Sequence, residues 1–187
     1  MPVIMPVPKS APAVGQRVYL RRPRASDAPA FCAAVRASRA IHSRWTRPPA
    51  TSKGYEAMLA RCRRSAFKTL FACRREDDAL VGVFDLSQIF HGVMQSAYLG
   101  YYALAPHARR GYMREGLELM LRYAFRTLHL HRVESNIQPA NRRSIALVRR
   151  AGFAREGYSR RYTNAGHWWP KTGARDRRAG HDLIGPP

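Results

Sequence analysis

Apolar and polar positions change their period several times along the chain, and each change marks an expected element. Residues 17–21 (RVYLR) alternate, and a period of two predicts a first strand. Ser26 and Asp27, with Pro29 in the following turn, mark the start of a helix expected to run to about Arg39. Turn residues crowd 46–49, after which Thr51 or Ser52 can cap a second helix reaching Arg64, with Tyr55, Leu59 and Cys62 on one side. The period then returns to two. Residues 67–74 and 80–89 read as strands joined at the polar turn Glu76-Asp77-Asp78, and residues 96–104 (SAYLGYYAL) form a third, aromatic-rich strand ending before Pro106. Together the three predict an antiparallel meander.

The strongest helical signal follows. Met113, Leu117, Met120, Leu121, Ala124, Phe125 and Leu128 recur at three- and four-residue steps, an apolar stripe suited to covering a sheet. Residues 132–137 (RVESNI) predict another strand, 142–151 a short helix ended by Gly152, and the chain from Phe153 through Tyr158 and Tyr162 reads as extended. The order β-α-α-β-β-β-α-β-α-β contains no internal repeat. It predicts an α/β fold of the α+β kind, a mixed sheet flanked by helices.

Composition narrows this picture. With 187 residues and 45% hydrophobic content, the chain can bury one real core, so disorder and fibrous repeats are excluded. Residues 1–16 are expected to be a flexible tail, and 17–187 a single domain with a divergent end over 163–187. Apolar runs stay well short of the roughly 18 residues of a membrane-spanning helix, so no membrane partner is expected. Cys32, Cys62 and Cys73 are odd in number and lack a C-x-x-C, which fits buried thiols in a reducing cytoplasm rather than disulfides or zinc. His129 and His131 lack the companions a metal site needs, and none is expected. Thirty-three basic against twelve acidic residues give a net charge of +21, and only four of the basic residues are Lys. Such a surface attracts phosphates, as nucleic acid or a phosphorylated co-substrate, although genomic base composition explains Arg richness equally well.

Chemistry concentrates where the third meander strand runs through residues 105–111 (APHARRG) into the strong helix. A helix N-terminus presents free N–H groups and a positive dipole end, and Arg109, Arg110 and Arg114 add charge beside Gly111. His107 is an accessory candidate in the same loop. No G-x-x-x-x-G-K-[ST] or G-x-G-x-x-G is present, which removes the common nucleotide-binding loops. A second cluster, Asn141-Arg142-Arg143-Ser144 followed by Ala151-Gly152-Phe153, opens the short helix. Asn141 reads most simply as an N-cap and Ser144 as an ordinary helical residue.

The stretches LGYYALAPHARRGYMREGL, LHLHRVESNIQPANRRSIALVRRAGF and AREGYSRRY, with the opening RVYLRRPRASDAPAF, resemble the GNAT superfamily of acetyl-coenzyme A-dependent N-acetyltransferases. They look closest to its ribosomal-protein-alanine (RimJ/RimL-type) branch, over residues 17–162. The resemblance implies an acyl-CoA N-acyltransferase fold with a splayed central sheet and acetyl-CoA in the cleft. The family's pyrophosphate loop falls on Ala108, Arg109, Arg110, Gly111, Tyr112 and Met113, of which Gly111 matches cleanly. The backbone of Ala103, Leu104 and Ala105 would pair with the pantetheine arm, and Asn141 would contact that arm or hold the loop. Tyr102 would border the acetyl group. The superfamily's acidic Tyr position is occupied by Val148, so the role of proton donor to the thiolate passes, as in the RimL-like branch, to Ser144. That branch's base position is Thr163.

Glu134, on the same strand face as Asn136, is the candidate general base, with a structural ion pair to a neighbouring Arg as the competing reading. An α-amine, with a pKa of ~7.7–8.0 against ~10.4 for lysine, suits a weak base, so the N-terminal amine of a protein is the expected acceptor. Ribosome or RNA proximity would suit the charge. A small-molecule amine, or a catalytically impaired basic RNA-binding protein of this fold, is the alternative, and the oligomeric state is left open. Pro170 is expected to interrupt any interior strand, so either 170–180 is a turn-rich insertion before a shortened last strand at 181–184, or the C-terminal end is altered and the acceptor pocket incomplete.

Overall fold

The alternating segments pair into one sheet, and the helices with apolar stripes cover its two faces. The computed structural model describes residues 7–42, 44–159 and 169–175. Its strands are β1 (Ala13–Val14), β2 (Val18–Arg21), β3 (Lys68–Arg74), β4 (Leu80–Phe90), β5 (Ser96–Ala103), β6 (Arg132–Asn136), β7 (Ala154–Ser159) and β8 (Trp169–Arg175). Its helices are α1 (Ala28–Ala37), α2 (Arg39–His42), α3 (Ser52–Cys62), α4 (Tyr112–Arg126) and α5 (Arg142–Arg150). The strand order is β1-β2-β3-β4-β5-β6-β8-β7, antiparallel throughout except for the parallel pair β5–β6. The mixed α/β architecture expected from the sequence is present.

Alternation sorts the strand residues between two layers. Leu70, Ala72, Phe84, Leu86, Ala97, Leu99 and Val133 meet the α4 stripe (Leu117, Met120, Ala124) and Val148 of α5. Tyr19, Phe71, Cys73 and Val83 face the other way, against Phe31, Cys32 and Val35 of α1 and Tyr55 and Met58 of α3. Both layers exclude water from large aliphatic and aromatic groups, the main driving force for the fold. Cys32 and Cys73 are buried free thiols, as expected of small hydrophobes, whereas Cys62 is half-buried. Burial pushes the Cys73 thiol up to about 12, so it is inert as a nucleophile.

Helix ends follow local chemistry. Thr51 Oγ1 caps α3 by accepting from Gly54 N–H at 3.2 Å, and Asn141 caps α5 by accepting from Ser144 N–H at 3.2 Å. The single helix expected up to Arg39 is broken at Ser38, whose hydroxyl bonds back to Ala34 O at 2.6 Å and accepts from Ala105 N–H at 2.8 Å.

Two expectations change. Ala13–Val14, assigned to a flexible tail, pair with Leu20 and Tyr19 as an edge strand, because Gly15 turns the chain back and its N–H reaches Val18 O at 2.8 Å. Trp169–Arg175, most of which falls in the stretch 170–180 expected to be turn-rich, form an interior strand between β6 and β7. Pro170 is tolerated there because it pairs only with Tyr158 of β7, one residue beyond the last β6 pair, Asn136 with Lys171. Tyr162, the Thr163 position and the strand expected at 181–184 lie outside the described residues.

Candidate active site

The sheet opens at its centre. β5 and β6 pair only from Ser96–Tyr98 to Arg132–Glu134, while β5 continues along β4 as far as Ala103. Ser135 Oγ donates to Leu99 O at 3.0 Å and closes the apex of the resulting fork. Successive residues of a strand turn their backbone groups to opposite sides. Leu104 N–H goes to Val81 O on β4 at 2.8 Å, so Tyr101 and Ala103 turn theirs into the gap. The three-residue edge expected at Ala103, Leu104 and Ala105 is therefore displaced. Leu104 N–H belongs to β4, Ala105 N–H is held by Ser38, and Ala103 O meets His42 Nε2 at 2.6 Å. The groups left to an incoming chain are Tyr101 N–H and C=O and Ala103 N–H, so the open edge is Tyr101–Ala103 and ends under His42.

At the outer end of this edge the chain enters α4. Gly111 is its N-cap with φ +82°, and Arg109 also lies in the left-handed region at +66°. A Cβ on Gly111 would sit 3.2 Å from a guanidinium nitrogen of Arg17 and carry left-handed strain. Arg17 braces the loop from β2's side, donating to Arg110 O at 3.2 Å and to Glu115 Oε2 at 3.1 Å. The other Glu115 oxygen accepts the N–H groups of Arg17 and Val18 at 2.8 and 3.2 Å. Burial alone would raise the Glu115 pKa, but these donors outweigh it and the net shift is downward. Met113 packs back onto β4, where a Cβ at Gly82 would collide with its sulfur. The Tyr112 ring carries Arg17 at 5.1 Å and Arg74 at 6.0 Å. Arg114 pairs with Glu118 at 3.1 Å. Arg109 and Arg110 are exposed and form no ion pair among the described residues. His107, in T-shaped contact with Tyr112, has its pKa lowered by burial and by Arg74 and Arg110.

Inside the fork, on the α4–α5 face, Tyr101 OH lies against Ser144 Oγ and within 3.2 Å of Ser144 O. Burial pushes the Tyr101 phenol up to about 12, so it stays protonated at neutral pH. Asn141 fixes the helix turn that carries Ser144. Val148 is fully buried in the core. Glu134 lies on the opposite face, where its Oε1 accepts from Arg132 Nε at 2.9 Å; Arg132 is shared with Glu156. Thus Ser144 meets Tyr101 on the α4–α5 face, and Glu134 stands across the sheet in the ion pair that was its competing reading. Tyr102 also faces away from Ser144, edge-on to His42 at 5.4 Å.

A family model described as "Acetyltransferase (GNAT) domain" matches residues 17–154. The chain belongs to the GNAT acetyltransferases. The [ribosomal protein uS5]-alanine N-acetyltransferase of Escherichia coli is 37% identical over 87 residues, 46% of this chain and 45% of that protein. The chain spans about half the length of the curated relatives it matches. Mycobacterium smegmatis RimJ in complex with CoA-disulfide superposes with TM-score 0.77 at 22% identity, covering 88% of this chain and 84% of the other. A Vibrio cholerae spermidine N-acetyltransferase in complex with CoA and spermine superposes with TM-score 0.74 at 18% identity, covering 86% and 96%. These two likenesses establish the fold.

GNAT acetyltransferases use acetyl-CoA, and the GNAT residues found here suit it. An unpaired strand edge fits an amide-bearing arm, and a glycine-opened helix mouth beside two unpaired arginines fits a diphosphate. The sequence alone assigned neither Tyr101 nor Arg17 a part in the chemistry. For Tyr101 a signal existed, since a phenol on the apolar Ala97–Leu99 face of a strand needs a partner for its hydroxyl. For Arg17 there was none, because its partners lie more than 90 residues away.

Proposed function

We propose that this GNAT chain transfers acetyl from acetyl-CoA to a primary amine, with the N-terminal α-amine of a protein as the preferred acceptor. The fork, with its unpaired Tyr101–Ala103 edge beside the Tyr101–Ser144 hydroxyl pair, carries the reading. The pantetheine arm lies along that edge and the diphosphate meets the α4 mouth at Gly111, Tyr112 and Met113, flanked by Arg109, Arg110 and Arg114. The amine attacks the thioester carbonyl carbon from the opposite face of the sheet. A C–N bond forms, the C–S bond breaks, and Ser144 Oγ donates a proton to the departing sulfur and regains one from solvent through Tyr101 OH, which ends the turnover protonated. Glu134 accepts the amine's proton through water. An α-amine, at ~7.7–8.0, needs only such a weak acceptor. Holding both reactants in the fork supplies much of the acceleration, and no covalent enzyme intermediate is required.

Arg142, Arg143, Arg149 and Arg150 on α5 are mostly exposed and form no ion pair among the described residues. They support work near RNA, as on a ribosomal acceptor. The likeness to a spermidine acetyltransferase favours a small polyamine as the second reading. Thiol release from acetyl-CoA, assayed with Ala-starting peptides and with spermidine, tests both. Faster release with peptides upholds the α-amine, and faster release with spermidine replaces it. Salt-sensitive RNA binding with no release on any amine overturns acetyl transfer and leaves a basic RNA-binding protein.

A further inference from the structure

We infer that Asp85 is the recognition carboxylate for the acceptor's ammonium group, and that Arg61 is its resident, displaceable counter-ion. The inference deepens the proposed transfer by assigning the acceptor side of the fork, and it rests on that reading for the identity of the site. Tyr101 and Ser144 occupy the α4–α5 face, so an acceptor must arrive from the α1–α3 face, and the β5 residues on that face at the fork are Tyr98, Gly100 and Tyr102. Gly100 is exposed although it lies in the middle of a central strand. Among the described residues, a Cβ built on it would meet only Asp85 O, at 4.0 Å. The sheet therefore has a hollow over Gly100, on the far side of the strand from the hydroxyl pair.

Asp85 is the direct cross-strand partner of Gly100 and turns its side chain to the same face, toward α3. One oxygen accepts from Thr69 Oγ1 at 2.6 Å, which fixes the carboxyl plane, and the other meets Arg61 Nη2 at 3.0 Å. The two partners differ. Thr69 is buried within the sheet, whereas the Arg61 side chain is 45% exposed, against 22% for Asp85. Arg61 reaches in from the last turn of α3 with its guanidinium carbon over the Phe67 ring, 5.4 Å from the ring centre, and Arg64 shares that ring at 5.3 Å. A long side chain at a solvent margin holds such a pair weakly. An ammonium in the hollow can replace it, keep the Thr69 bond, and leave Arg61, already half exposed, to turn out to solvent. Glu134, cross-strand from Tyr98 on the same face, is bound to Arg132, which is itself shared with Glu156. Asp85 is thus the carboxylate with the more easily released partner. On a chain of net charge +21, a cation needs such a local anion in order to bind at all.

Calorimetric titration of the full chain with two probes, spermidine and an Ala-starting tripeptide amide, tests this without requiring turnover. At least one probe is expected to bind the wild type, at least tenfold more weakly after Asp85→Asn, and severalfold more tightly after Arg61→Gln, which frees the carboxylate. Asp85→Glu should restore binding in part, and the N-acetylated peptide should not bind. Asp85→Asn keeps an oxygen for Thr69, and an unchanged melting temperature shift with coenzyme A confirms that the fork is intact. The proposal is overturned if neither probe binds the wild type, if Asp85→Asn binds as the wild type does, or if Arg61→Gln weakens binding as Asp85→Asn does. Absence of thiol release alongside these binding shifts would sink acetyl transfer while leaving the ammonium site standing.

Discussion

Replacing Gly111 by Ala separates the helix mouth's role in binding from its role in folding. The residue sits at φ +82°, where an L side chain costs about 1–2 kcal/mol. For a chain of this size each kcal/mol lowers Tm by roughly 2–4 °C, so the variant should melt about 2–8 °C lower. The new methyl also lies 3.2 Å from Arg17's guanidinium, disturbing the brace on Arg110 O and intruding where the first N–H groups of α4 are proposed to meet a diphosphate. Coenzyme A at a hundred times its Kd stabilises the wild type by ~2.7 kcal/mol. A tenfold weaker complex at the same concentration keeps ~1.4 kcal/mol, so the ligand-induced Tm shift should fall to about half. Gly92→Ala supplies the control. Gly92 is also left-handed, at φ +70°, with nothing within 4 Å of its Cβ position, so it carries the strain without touching the mouth. Scanning fluorimetry with and without coenzyme A reads both effects. Equal ligand-induced shifts in Gly111→Ala, Gly92→Ala and wild type would refute the assignment of the mouth.

Tyr101→Phe removes the hydroxyl beside Ser144 and leaves the ring in place; kcat is expected to fall about 10–100-fold in steady-state thiol release, with the coenzyme A-induced Tm shift unchanged. Asp27→Ala strips the bidentate partner, at 2.7 and 2.8 Å, from Arg21, which is only 7% exposed. Losing one partner of a buried pair costs about 3–5 kcal/mol, here offset in part by Asp78 at 3.9 Å from Arg21 Nε, and urea unfolding should show it as a lower midpoint at unchanged slope. His107 has a folded-state pKa below its ordinary value of 6.5, so the unfolded chain takes up the proton first. Its contribution is therefore present above pH 6.5 and is lost as the pH falls through the lower folded value. Chemical denaturation from pH 7.5 to 5 should show that loss in the wild type and less of it in His107→Gln.

Helices and meander strands were legible in the sequence wherever one face is buried, because periods of 3.6 and 2 report burial directly. The α4 stripe from Leu117 to Ala124 is the clearest case. Pairing partners were harder to read. β1 has two residues, too few for a period, and β8 carries a Pro whose harmlessness depends on where β6 stops. Gly111, Asn141 and Ser144 could be named as candidates from the sequence because each has a local signature, a turn glycine or a helix start. The Tyr101–Ala103 edge was misplaced toward Ala103–Ala105, because which backbone groups stay free depends on Val81, Ser38 and His42 from three other elements. Asp85 and Arg61 have no motif at all, since 24 residues separate them.

Glu115 moors the first turn of α4 to the backbone of Arg17 and Val18, 98 residues earlier in the chain for Arg17. During synthesis, the mouth of α4 therefore cannot take its final shape until β2, made first, is met by a segment made much later. The same mooring makes the opening of the chain a listening post for the helix mouth. A dye at Gln16 would report a ligand at the proposed α4 mouth without any label in the cleft, and a bulky fusion packed tightly against that residue would disturb the mouth before it disturbed the core.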